Sequence, residues 1–192
     1  MRALMAFYLT ALVCLSSSCA DGGGVSAANC QSALDTFMAH PSRHTLFGVS
    51  KAEGINCWNL VKQSNVYLSR LEKLVGRGDS WAARYMAENI KTLDGGNLED
   101  SLISLGLFAD HDMEGLLGLA HEGLLSAGEL ADSLTMLPLS LSDDPGAQLS
   151  VLRERKNKVK LVKNANLSIQ KEQALRAIEE FEAEIRNKDR GG

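Results

Sequence analysis

The sequence predicts an all-α domain, and three observations carry that reading. Leucine is abundant while aromatic residues make up only 5% of the 192 residues, and β-branched runs alternating with polar residues, the mark of a half-buried strand, are nearly absent. Only three prolines occur, at positions 41, 138 and 145, so few points forbid a helix. The middle of the chain also divides into segments of roughly 10 to 15 residues, each opening on a capping side chain and stopping at Gly or Pro.

The first residues have a different purpose. Met1 and Arg2 precede thirteen residues, 3 to 15, that are apolar except for Tyr8 and Thr10, the pattern of an export signal. A span across a hydrocarbon core of roughly 30 Å needs about 20 such residues, so this run is too short to cross as a helix. Leu15, Ser16, Ser17 and Ser18 before Cys19 resemble the lipobox of bacterial lipoproteins, in which the cysteine is lipidated and becomes the new N-terminus. That pattern sets Leu three residues before the cysteine, whereas Leu15 lies four before it. Cleavage after Ala20 or Ala27 by ordinary signal peptidase is the alternative. Under the lipoprotein reading residues 1–19 are the signal, and Ala20 after the lipidated residue implies the outer membrane facing the bacterial periplasm. Residues 20–28, rich in Gly and Ser, then form a flexible tether to one all-α domain over 29–192.

Export also accounts for the cysteines. Of the four, Cys14 lies in the apolar run and Cys19 is lipidated or removed, leaving Cys30 and Cys57, which an oxidising compartment turns into one disulfide. A zinc site on these two thiols lacks a second Cys or His pair at ligand spacing, so no metal or other cofactor is expected. Loss of the first 18 residues removes Arg2 and leaves 19 Lys and Arg against 24 Asp and Glu, moving the charge from −4 to −5. A mildly acidic chain has no bulk attraction for nucleic acid or anionic lipid. Any membrane contact therefore falls to the N-terminal lipid alone.

In chain order, Asn29 caps a first helix through Ala39, ended by Pro41 and a loop, "HPSRHTLFG". From about Asn56 to Val75 the apolar residues Trp58, Val61, Val66, Leu68, Leu71, Leu74 and Val75 recur mostly three and four apart, the face of one buried helix. "GRGD" at 76–79 reads as a glycine C-cap followed by Asp79 as the next N-cap. Further helices start at Asn97, at Asp110 or Asp112, and at Ser126, the last with Glu129 as a capping box. Asp144-Pro145 is a strong start for a C-terminal hairpin over 145–188. In its second arm Ala174, Ile178, Phe181 and Ile185 make a seam. In the first arm Arg153, Arg155, Lys156, Lys158, Lys160 and Lys163 face a single acid, Glu154; the expectation is a solvated basic face answered by Glu172, Glu179, Glu180, Glu182 and Glu184. Residues 79–137 resemble two degenerate helix pairs of the HEAT-like class, without a fixed repeat. A compact helical bundle fits as well.

No catalytic residue is assigned. G-x-S-x-G, H-E-x-x-H and phosphate-cradling glycine loops are missing. Asp110, His111, Asp112, Glu114, His121 and Glu122 form the densest ionisable cluster, yet on one helix His111 and His121 project about 80° apart and three turns distant. Carboxylate pairs drawn from Glu88, Glu99, Asp100 and Glu122 leave open a cell-envelope hydrolase, and the hairpin leaves open a scaffold lipoprotein. In its lipobox-like start, single disulfide, helical content and size the chain resembles small periplasmic immunity proteins that neutralise secreted toxins. That resemblance implies a non-enzymatic, exported inhibitor with a protein partner, a toxin or envelope enzyme. The acidic stretch Asp94, Glu99, Asp100, Asp110, His111, Asp112, Glu114 and Glu122 is the candidate surface for a basic partner.

Overall fold

The computed structural model describes residues 22–52 and 54–191, with side chains placed from 29 to 52 and from 57 to 188. The export signal and Cys19 lie outside the described residues. The first helix, α1 (Gly22–Ala39), begins seven residues before the Asn29 cap expected from the sequence. The backbone of 22–28, read as tether, is thus drawn into the helix, in keeping with the helix-favouring Ala27 and Ala28.

The loop expected after Pro41 is instead α2 (Arg43–Lys51). Ser42 caps it: its Oγ accepts the Thr45 amide at 3.2 Å, while Thr45 Oγ1 accepts the Ser42 amide at 3.0 Å. This is a capping box with Thr where Glu or Gln is usual. The single helix expected over 56–75 is two, α3 (Gly54–Gln63) and α4 (Asn65–Gly76). Ser64 between them turns its hydroxyl to the Tyr67 amide, and a side chain that competes for backbone donors starts a new helix rather than continuing the old one.

"GRGD" performs as expected. Gly78 takes φ +91°, its amide donates to Val75 O and that of Asp79 to Leu74 O, the paired bonds of a Schellman motif. Asp79 then caps α5 (Ser80–Asn89), accepting the Trp81 and Ala82 amides, and a 3-10 turn, Ile90–Thr92, follows. The next cap is Asp94, not Asn97, and α6 (Gly95–His111) is correspondingly longer. Asp112 caps α7 (Met113–His121), and the Ser126–Glu129 box opens α8 (Ala127–Thr135) with both reciprocal bonds made. Asp144 caps α9 (Pro145–Leu161) with Pro at its first turn, and α10 (Ser168–Gly191) returns along it. Among the described residues there is no strand, and the helices form one compact bundle around one continuous core.

α6 is the hub, packing against α4, α5, α7, α8 and α9. One half of the core gathers α1 to α5 around Phe37, Trp58 and Tyr85, whose rings meet edge to face at 5.4 and 5.5 Å. The Cys30–Cys57 disulfide ties α1 to α3 with Cα atoms 5.1 Å apart. The other half packs α10 against α8, α9 and α7; Ala174, Ile178 and Ile185 of the expected seam are buried and Phe181 half-buried.

The basic face of α9 is not uniformly solvated. Arg155 is 0% exposed: Nε and Nη2 each donate to Asp110 at 3.0 Å, and Nη1 donates to Leu134 O at 3.0 Å. Gly106 makes room for it, since a Cβ there would collide with the Ser133 carbonyl and press on both Nη atoms at 3.1 Å. The rest of the face is nearer expectation, with Lys156 held by Glu179 at 3.0 Å and by the buried Glu182 at 3.6 Å.

Candidate functional site

The fold divides the predicted acidic surface in two. Asp110 is spent on Arg155, and its carbonyl accepts Lys158 Nζ at 2.7 Å. Asp112 accepts the Gly115 amide as a cap, and Glu114 accepts Asn164 Nδ2 at 3.2 Å. Glu122 accepts Arg84 Nη2 at 2.6 and 2.8 Å. Of these four, Asp110 and Glu122 are paired with guanidinium groups of the same chain, whereas Asp112 and Glu114 accept only neutral amide donors, and Glu114 and Glu122 stay exposed. His111 is exposed at the end of α6 and His121 lies on α7. The break at Asp112 therefore replaces the single helix assumed for their geometry. No group of three or more His, Cys, Asp or Glu residues converges as a metal site among the described residues.

What remains is the start of α6. Asp94, Glu99 and Asp100 are exposed, and none makes an ion pair among the described residues. Only Asp94, at the N-cap, stands at the positive end of the helix dipole, and Glu99 and Asp100 follow in the second turn. Beside them stands a residue that sequence reasoning missed, Glu72 of α4, the helix that packs on α6. Its pKa is pushed up from the usual 4.5 to about 7, by burial first and then by the Asp100 charge, partly offset by the Ser101 hydroxyl. Ser101 itself is fully buried beside that carboxyl. Glu72 follows Leu68 by four residues and precedes Val75 by three, at the edge of a buried stripe, and that position was the signal available in the sequence.

Three grooves elsewhere bear on catalysis. The largest, about 770 Å³, lies between α8, the 136–144 segment, α9 and α10, is walled by Met136, Pro138, Phe181 and Ile185, and carries one acid, Asp132. A second, about 570 Å³, gathers His44, Ser50 and Glu88 beside the 56%-exposed Phe47. Those are the residue types of a nucleophile relay, but Ser50 Oγ donates to Leu46 O within its own helix, and Glu88 faces Arg84 at 3.8 Å. Among the described residues no bond joins serine to histidine or histidine to acid, as such a relay needs. A third, of about 270 Å³, lies over Gly115 and Gly118 beside Trp81. Glu88 and Glu122, two of the carboxylates considered for hydrolysis, share Arg84 between them. Burial raises the pKa of Glu88 and the guanidinium opposes it.

Compared with family models, curated proteins and solved structures, the chain matches none. The site therefore rests on its own chemistry: an uncompensated carboxylate group at the junction of α4 and α6.

Proposed function

We propose that this protein is an exported, non-enzymatic binding module that neutralises a basic partner, a toxin or hydrolase of the bacterial envelope, through the acidic face at the start of α6. The observation that supports the reading is that Asp94, Glu99 and Asp100 are exposed and make no ion pair among the described residues, while the Asp100 charge helps to raise the pKa of Glu72 on the adjoining α4. Two like charges from adjoining helices raise the free energy of the unbound molecule, and a positively charged partner relieves it. Asp94 and Glu99 extend the same field. The disulfide and helical content agree with the small periplasmic immunity proteins that the sequence resembles, and residues 1–19 supply the export signal and lipidated Cys19 of an outer-membrane lipoprotein. No nucleic acid and no cofactor enter this reading.

The test is association kinetics with a basic protein captured from envelope extract on the immobilised chain, followed across ionic strength. Steered encounter slows steeply as salt rises. Charge reversal at Asp94, Glu99 and Asp100 together lowers the association rate about tenfold at low salt while leaving dissociation nearly unchanged. A rate independent of salt, or a partner bound equally well by the reversed variant, removes the proposal.

A further inference from the structure

We infer that the groove between α8 and α10 is a contact between two copies of this chain, in which Leu139 of each copy enters the groove of the other about a two-fold axis. The inference goes beyond the acidic face and shares no residue with it. Socket and plug stand side by side on one surface. The socket, of about 770 Å³, is walled by Met136, Pro138, Phe181 and Ile185, and the first three of these apolar side chains are only half-buried. The plug is the next residue after Pro138 of that wall. Leu139 is 85% exposed, the highest value of any large apolar side chain among the described residues. An open apolar groove and a bare leucine both carry a hydration cost, and docking one into the other recovers it.

Leu139 does not fill the groove of its own chain, because the turn that bears it is fastened. It opens the 3-10 turn Leu139–Leu141, in which the Leu141 amide donates to Pro138 O at 2.9 Å and the Ser142 amide to Leu139 O at 3.1 Å. Gln148 Nε2 of α9 donates to the carbonyls of Leu141 and Ser142 at 2.7 and 2.9 Å and ties the turn down. A side chain held outward by a fixed turn is preorganised, so little conformational entropy is lost when it docks. The charges at the groove select the occupant. Asp132 and Lys188 both line it and both are exposed, yet neither joins an ion pair, with the other or with any group among the described residues. A strongly basic or strongly acidic partner gains from one of them and is repelled by the other. A second copy answers both, since a two-fold axis that sets Asp132 of one copy against Lys188 of the other repeats the contact with the roles exchanged. With one leucine and two rim charges from each copy, the contact is small beside that of a permanent dimer. The pair is therefore weak and forms where the chain is concentrated.

The experiment is sedimentation velocity of the full chain from micromolar to near-millimolar concentration. The parent chain is expected to pass from monomer to dimer as concentration rises. Leu139→Asp weakens the dimer about a hundredfold, because both sockets lose their apolar plug. Asp132→Lys and Lys188→Asp each weaken it about tenfold, and an equimolar mixture of those two variants recovers the association of the parent, since every facing pair is then opposite in sign. Urea midpoints taken on the dilute monomer stay at the parent value for all three variants, whose altered side chains are exposed, and so report an intact fold. A chain that remains monomeric at every concentration overturns the inference. So does an association that Leu139→Asp leaves unmoved, which places the contact in another part of the chain. A mixture that associates no better than its components removes the two-fold pairing, and with it the inference.

Discussion

Arg155 is the residue whose environment differs most from what its neighbours suggest. It stands in a run of six cations within eleven residues, 153–163, yet it is fully buried, and its guanidinium closes on Asp110 of α6 and on the last carbonyls of α8. Removing one partner from such a pair leaves a charge in a low-dielectric interior, a loss of about 3 kcal/mol or more. Asp110→Ala is therefore expected to lower the unfolding free energy in urea by about that amount, while Asp112→Ala, which removes an N-cap bond, costs about 1 kcal/mol. Gly106→Ala is expected to be as damaging as Asp110→Ala although it adds only a methyl group, because the obstacle is the fixed backbone carbonyl of Ser133. Glu72 behaves in the opposite sense. Its folded-state pKa lies above the unfolded 4.5, so the native state holds the proton longer, and stability falls as pH rises from 4.5 through about 7 and stays lower beyond. Glu72→Gln should then stabilise the protein at pH 8, by about 1 kcal/mol once solvent screening of this half-exposed group is allowed for, and change little at pH 4. Urea midpoints at the two pH values check it; equal shifts at both would show that the gain comes from something other than charge.

At the scale of the element, helix starts divide into those with and without a local signal. Asp79, Ser126 and Asp144 were legible because the capping side chain and the amide it serves are two or three residues apart. Ser126→Ala is expected to cost about 1 kcal/mol, read from the urea midpoint. The start of α2 was missed because Thr45 takes the place that Glu or Gln usually fills, and the division at Ser64 because apolar spacing runs through it unbroken. Interhelical features were legible only in part. Arg155 continues the buried stripe of Leu152, Val159 and Val162, which marks its position as inward, but its partner lies 45 residues away and no spacing rule connects them. The same holds for the acidic surface: the sequence lists the carboxylates, and only packing separates those consumed by Arg155, Arg84 and helix caps from those left facing solvent.

For the whole molecule, the C-terminal hairpin is a structural member rather than an appendage. α10 buries Ala174, Ile178 and Ile185 against α8 and α9, so deletion of 166–192 should abolish cooperative unfolding, followed by circular dichroism. A truncated chain that melts normally would favour the scaffold reading, in which the hairpin is a free arm. At the opposite end of the molecule, the disulfide closes a loop with a sequence separation of 27. Replacing Cys30 and Cys57 together by Ala is expected to cost about 3 kcal/mol by the loop-entropy account.

The clasp between α6 and α9 also has a meaning in time. A polypeptide made from its amino end completes α6 and α8 long before residue 155 emerges, and domains generally acquire structure in that order. Until then Asp110 has no counter-ion, the slot over Gly106 is empty, and the final carbonyls of α8 have nothing to bind. The second half of the bundle is thus obliged to wait for residue 155 and the α10 that packs behind it before its core can close.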